Sequence, residues 1–466
     1  MHYSPSHTPS MLQYSSLIQR AIPAHVDTRL YQPVNGSIFS PESGTKQIRI
    51  GLALPHMTFL DARNSFLQFK LTVSGTANAS DITGCTIDGS IASIIDTLSI
   101  IGPDGTVLSR LDNYAQISAA LKSVQGDFHH NESFGALTDG SAPDGVARNA
   151  TSMELATATA SVDAHFCIPL LSGILSASHY LPLGFLSGSP LSILIDLNPF
   201  NTAFANPSHS VSGHSVSAIV APTYSISEVA YNASVVTLNS SESELFQNMI
   251  QSLGGVQLHC LEVQSVGVNN LPISTNPTPV SFSMPVRSRS LRLLVHLMHQ
   301  ITDQTSANTY GVTTRRCRQI SQYQHKISGQ AIPSAPIQVS ETNTGQAIME
   351  ILRAIASVGD QKQSCLLTNS TGAEDNDVGS VGALGFYGGQ DSSDHDRGCA
   401  FLIAQNMQAF VSDQGLESGT DLSSVLGNVI LEMHLTPSNR ATIVRSYAIS
   451  DSIVTFTSDG VVSVSM

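Results

Sequence analysis

The chain contains no tryptophan, and only 12% of its 466 residues are charged, about half the fraction usual in soluble domains. Disordered chains combine high net charge with few β-branched residues, so this scarcity argues against disorder. Basic residues are the rarer sign: 21 Lys and Arg stand against 35 Asp and Glu, a formal charge of −14. That balance repels a phosphate backbone, and no sequence-specific nucleic-acid binding is expected. Cys85, Cys167, Cys260, Cys317, Cys365 and Cys399 stand singly. They lack both the close pairs of a zinc site and the density of a disulfide framework, and read mostly as reduced core residues. No run of eighteen apolar residues occurs. The opening MHYSPSHTPSMLQYSSLIQRAIPAH has neither a basic n-region nor a long apolar h-region, so neither a membrane span nor a signal peptide is expected. N-x-S/T sequons at Asn35, Asn78, Asn131, Asn149, Asn232, Asn239 and Asn369 are largely what abundant Ser and Thr produce by chance.

What is present is a chain 41% hydrophobic and rich in Val, Ile, Thr and Ser, residues suited to pleated, half-buried surfaces. An all-β fold is expected, and the length calls for two domains rather than one core. Residues 1–30 hold Ser, Pro, His and Tyr without a sustained period and read as an arm that orders only against something else. In 65–73, Leu67, Phe69, Leu71 and Val73 alternate with Phe66, Gln68, Lys70 and Thr72, the period of a strand with one face on a core. Residues 91–101 lead through the turn Gly102-Pro103-Asp104-Gly105 into a return strand at Val107 and Leu108. A helix is expected next, capped by Asp112, with Tyr114, Ile117, Ala120 and Leu121 on its buried face.

Residues 124–163 read as a long loop; strands are expected at 166–171, 191–197 and 224–238, with a polar loop over 198–215. Ser241 and Glu244 form a capping-box pattern before a helix whose buried stripe is Leu245, Met249 and Leu253 and which Gly254-Gly255 ends. The domain boundary belongs here. The second half repeats the grammar: strands at 256–266 and 290–299, a polar stretch over 300–345, and an amphipathic helix through Ile348, Ile351, Leu352 and Ile355. After a Gly- and Asp-rich loop over 368–399, strands return at 400–411 and 427–436, and a final hairpin turns at Ser458-Asp459-Gly460. Tyr224-Ser225-Ile226-Ser227-Glu228 and Tyr447-Ala448-Ile449-Ser450-Asp451 begin the closing strands of the two halves. Each follows an alternating strand with one acid, Asp196 or Glu432, so a tandem duplication is expected.

The spacings that catalysis requires are missing: no phosphate-binding glycine loop, zinc-protease helix or nucleophile elbow occurs. Metal ligation by His129, His130 and Glu132 competes with plain loop placement, which the opposed side chains of adjacent extended residues favour. Glu374, Asp375, Asp377, Asp391, Asp394 and Asp396 offer oxygen ligands for Ca²⁺ without the calcium-loop spacing, and a solvated loop is the plainer reading. Arg315, Arg316 and Arg318 suit an inter-subunit salt bridge better than a phosphate site. Arg287, Arg289 and Arg292 are explained by solvent-facing alternation. The run 379–389 presents Phe386 and Tyr387 as a partner contact or merely as a turned tip. No catalytic, cofactor-binding or metal residue is assigned, and the chain is not expected to be an enzyme.

Each half offers about eight strands with long excursions, which fits a jelly roll better than a minimal immunoglobulin-like sandwich. The expected fold class is all-β: two tandem eight-stranded jelly-roll β-sandwiches with short inserted helices. The expected division is an arm over 1–30, a first jelly roll over 31–239, a linker helix over 240–255 and a second jelly roll over 256–466. The order of elements from SSLIQRAIPAHVDTRLYQPVNGS through DTLSIIGPDGTVLSRLDNYAQISAAL and FCIPLLSGILSASHYLPLGFLSGSPLSILIDL to YAISDSIVTFTSDGVVSVS resembles, over residues 14–466, the major capsid proteins of polinton-like viruses and virophages. That resemblance implies a structural protein of an icosahedral double-stranded DNA virus, a homotrimer with pseudo-hexameric outline located in the virion shell. Its implied partners are neighbouring capsomers, penton proteins and minor capsid or cement proteins. The arm would lie under neighbouring capsomers. The alternatives are a secreted or surface β-sandwich lectin or adhesin that binds carbohydrate, and a cupin-like enzyme, which would need a convergent His cluster.

Overall fold

A computed structural model gives the architecture. It describes residues 24–42, 44–76, 82–125, 138, 152–155, 161–177, 179–185, 190–206, 209–211, 214–271, 273, 275–301, 311–312, 320–339, 345–356, 401–408, 419–423, 429–437, 441–457 and 462–465. Among the described residues, sixteen strands form the main paths of two sandwiches, and the short strands Ile38–Phe39 and Val462–Ser465 add one more to each. The first uses β1 (Ala24–Tyr31), β2 (Gln47–Leu52), β3 (Thr58–Thr76), β4 (Ile95–Ile101), β5 (Val107–Asp112), β6 (Ser161–Ile168), β7 (Leu191–Leu197) and β8 (Val220–Leu238). The second uses β9 (Val256–Leu271), β10 (Thr278–Met284), β11 (Leu291–Gln300), β12 (Ile320–Ile327), β13 (Gln330–Gln338), β14 (Leu402–Asn406), β15 (Val429–Leu435) and β16 (Thr442–Phe456).

The sheet orders are β1-β8-β3-β6 and β2-β7-β4-β5 in the first sandwich, β9-β16-β11-β14 and β10-β15-β12-β13 in the second. Each strand of the second therefore occupies the place of the strand eight earlier in the first, the result a tandem duplication produces. Helix α1 (Tyr114–Gln125) follows β5, and α3 (Gly345–Ala356) follows β13, the matching position. Tyr224 on β8 lies opposite Val73 on β3, and Tyr447 on β16 opposite Val295 on β11. Both tyrosines are buried.

Alternation explains the core. Leu67, Phe69, Leu71 and Val73 on β3, Leu191, Ile193, Ile195 and Leu197 on β7, and Val429, Leu431, Met433 and Leu435 on β15 are all buried. They belong to one apolar cluster that runs through both sandwiches. Tyr114, Ile117, Ala120 and Leu121 bury one face of α1 as the helical spacing requires. On α3, Ile351 is buried and Ile348 and Leu352 half-buried, while the side chain of Ile355 lies outside the described residues.

Several expectations change. Residues 24–30, assigned to the arm, form β1 together with Tyr31, paired with β8 from Ala24↔Leu238 to Tyr31↔Tyr231. The strand expected at 166–171 runs over 161–168, because β6 carries few apolar residues before Phe166. The polar stretch 300–345 contains β12 and β13, joined by the two-residue turn Ser328-Gly329 with both φ positive (50° and 83°), the hairpin geometry that matches strand twist. Asp112 ends β5 instead of capping α1; its Oδ1 accepts from Thr97 Oγ1 at 3.2 Å and Arg110 Nε at 2.9 Å.

Residues 198–215, expected as a loop, contain short strands. Phe204–Ala205, His209–Val211 and His214–Ser217 join Ile82–Ile87 and Ser152–Leu155 in an extra sheet. Its strands are excursions between β3 and β4, β5 and β6, and β7 and β8, so three insertions converge at one end of the first sandwich. The final hairpin is present as β16 with Val462–Ser465, while its turn lies outside the described residues. No helix among the described residues is long and apolar enough to cross a membrane.

Candidate functional site: the seam between the sandwiches

Helix α2 (Ser240–Leu253) joins the sandwiches. Its cap is Asn239, whose side chain accepts from the Ser240 N–H at 2.7 Å, so the capping box at Ser241 and Glu244 does not form. Gly254 ends the helix in the left-handed region at φ 73°, a conformation glycine adopts without a Cβ penalty. The stripe expected to be buried is outside: Leu245, Met249 and Leu253 are exposed. The helix docks instead through Ile250, which is buried, and Phe246, whose ring sits 4.9 Å from Phe59 and 5.0 Å from Phe185. Apolar residues on two faces give a period that cannot say which face meets the core.

Beyond the helix, buried polar contacts join the sandwiches. Glu262 of β9 is 2% exposed, accepts a hydrogen bond from Ser109 Oγ of β5 and another from the backbone N–H of Gly173. Burial pushes its pKa up to about 7, and these two donors offset part of that rise. Gly173 leaves the room: a Cβ there would stand 2.3 Å from Glu262 Oε2 and 2.7 Å from the Leu261 carbonyl oxygen. A second contact centres on Asn113, between β5 and α1. Its side-chain Oδ1 accepts from Arg445 Nε at 2.9 Å and its carbonyl from the Tyr447 hydroxyl at 3.2 Å, both from β16. Asn113 has φ 54°, a region Asn enters more readily than most residues. A third is Asp88 Oδ2, which accepts from the Val312 N–H at 2.5 Å. These contacts each pair a polar group of one sandwich with a partner from the other, which fixes their relative placement.

Two further clusters lie inside the second sandwich. Asp451 of β16 is nearly buried and receives Arg292 at 2.7 Å, His259 Nε2 at 2.6 Å and the Ser290 hydroxyl. Arg292 is therefore an ion-pair partner and not a solvent-facing residue, whereas Arg287 and Arg289 are exposed as expected. Asp451 and Glu228 occupy the same place in the duplicated closing strands; Glu228 is exposed. The other cluster is a histidine pair across the two sheets, His296 of β11 and His325 of β12, with Nε2 atoms 2.9 Å apart and His296 Nδ1 2.8 Å from Ser446 Oγ. Both are fully buried, which lowers both pKa values, that of His325 to about 3. The pair is therefore neutral near pH 7 and acts as a hydrogen-bonded element of the core.

Among the described residues no group of three or more His, Cys, Asp and Glu is placed to hold a metal ion. His129, His130 and Glu132, the acidic residues between 374 and 396, Arg315, Arg316 and Arg318, and Phe386 and Tyr387 all lie outside the described residues. Cys85 and Cys260 are buried free thiols, their pKa values pushed up to about 12 by burial, while Cys167 is free and exposed. Sequence reading missed the seam because its partners lie far apart, as with Asn113 and Arg445; only the left-handed-prone Asn and the lone acids Asp88 and Glu262 in otherwise apolar surroundings hinted at it.

Two eight-stranded sandwiches of one topology, locked by a buried seam, define a double jelly roll. No protein-family model matches the sequence, and no curated protein matches it significantly. Solved structures do. The mavirus major capsid protein has 11% identity and a TM-score of 0.56, with 100% of this chain and 96% of that chain covered. A chain of the Sputnik virophage structure has 15% identity and a TM-score of 0.57 over 96% of this chain and 90% of that one. The Faustovirus major capsid protein has 8% identity and a TM-score of 0.58 over 93% and 91%. The chain thus has the double jelly-roll fold of viral major capsid proteins.

Proposed function

We propose that this chain is the major capsid protein of an icosahedral double-stranded DNA virus, a non-enzymatic structural protein resident in the virion shell. Its unit would be a homotrimer of pseudo-hexameric outline. The observation that carries the reading is the duplicated topology held side by side by the seam. Three such chains present six similar sandwiches about a threefold axis, so a cyclic trimer can tile a hexagonal lattice. The proposed division is a first jelly roll to residue 239, a linker helix over 240–255 and a second jelly roll from 256. The insertions that converge in the extra sheet would face outward. Neighbouring capsomers, penton proteins and minor capsid or cement proteins would be its partners. Similarity to capsid proteins over nearly the whole chain favours this reading over a carbohydrate-binding lectin or adhesin. Light scattering on a sizing column tests it: a mass of three chains that persists on dilution is expected, and a monomer at high concentration would overturn it.

A further inference from the structure

An apolar surface on the first sandwich lacks a cover among the described residues. By register, Val26 on β1 pairs with Val236 on β8, and Val236 with Phe59 on β3, so the three side chains form one row across the sheet. Adjacent strands lie about 4.8 Å apart, so the row spans about 10 Å. Helix α2 covers its Phe59 end through Phe246. At the other end Val26 is 63% exposed, and Leu30, on the same face of β1, is 58% exposed. On α2 itself Leu245 (63%), Met249 (42%) and Leu253 (69%) form an i, i+4, i+8 stripe. Single exposed apolar residues are ordinary, but an aligned stripe on α2 and a row that ends exposed on β1 are docking surfaces.

We propose that residues 11–22 of the same chain cover these surfaces. The register places the start of the described chain there: Ala24 pairs with Leu238, and α2 begins at Ser240. β1 runs antiparallel to β8, so the chain before Ala24 leaves the sheet at the end where α2 starts. The segment MLQYSSLIQRAI supplies Leu12, Leu17, Ile18 and Ile22 as apolar contacts. Its Arg20, the one Lys or Arg before residue 24, stands close in sequence to the exit point, where Glu242 and Glu244 occupy the first turns of α2. Length allows it. Fourteen helical residues extend about 21 Å, and twelve residues of chain can reach that far in extended form at about 3.3 Å each.

The test uses the full chain. In L17D/I18D, amide hydrogen exchange over residues 245–253 and 24–30 is expected to accelerate at least tenfold, with β3 and β11 unchanged. Unchanged exchange at 245–253 in the variant would overturn the proposal. A second measurement covers a variant that fails to fold: benzoylphenylalanine at position 249 is photo-crosslinked in particles co-assembled from isotope-labelled and unlabelled chains. Crosslinks to residues 11–22 within one isotopic species support the proposal. Crosslinks that join the two species, or that miss this segment, overturn it. The exchange readout does not depend on whether the chain forms capsomers.

Discussion

The buried carboxyl at the seam makes the stability of this protein depend on pH in a direction opposite to ordinary acid denaturation. Glu262 is raised from 4.5 to about 7 by burial. The folded chain therefore holds a proton that the unfolded chain releases between those two values. Its contribution to stability is full below about pH 4.5, declines as pH rises, and is lost above about pH 7. At about 1.36 kcal/mol per pH unit the whole span is on the order of 3 kcal/mol. Glu262→Gln removes the titration while keeping an acceptor for Ser109. Urea unfolding followed by far-ultraviolet circular dichroism suits a chain without tryptophan. The variant is expected to gain stability at pH 8, change little at pH 5, and show a flatter profile between them. A variant with the same slope as the natural protein between pH 5 and pH 8 would refute the reasoning.

Other expectations concern the same contacts. Gly173→Ala drives a methyl group into Glu262 Oε2 and the Leu261 carbonyl and should cost about 1–3 kcal/mol by overpacking, read as a lower urea midpoint. Asn113→Gly keeps the left-handed backbone but removes the acceptor of Arg445 Nε. A loss of about 1–3 kcal/mol is expected for the stranded buried donor, and thermal unfolding at two pH values would measure it. His325→Leu strands His296 Nε2 and should destabilise by a similar about 1–3 kcal/mol, whereas H296L/H325L should recover part of that loss in the same assay.

Much of the fold was legible where one periodicity had one interpretation. The alternation in β3, β7 and β15 fixed both the strands and their buried faces, and Tyr224 and Tyr447 marked equivalent positions that the sheet orders bear out. Legibility failed where a pattern had two interpretations. Helix α2 carries apolar residues on both sides, and only Phe59 and Phe185 decide that Phe246 faces inward while Leu245 and Met249 do not. β12 and β13 were hidden by polar residues on their outer faces, although Ser328-Gly329 is a recognisable turn dipeptide. The seam was beyond sequence reading for a physical reason. Hydrogen bonds such as Ser109 to Glu262 join residues from separate sandwiches, and local propensity carries no information about a partner so distant in the chain.

The most direct test of the account is a cryo-electron microscopy map of the purified particle, viewed along its symmetry axis. Three chains should appear as six sandwich densities on a hexagonal outline, each chain supplying two adjacent ones joined through the Glu262 and Asn113 contacts. A particle with one pair of sandwiches, or with chains arranged without a threefold axis, would contradict it.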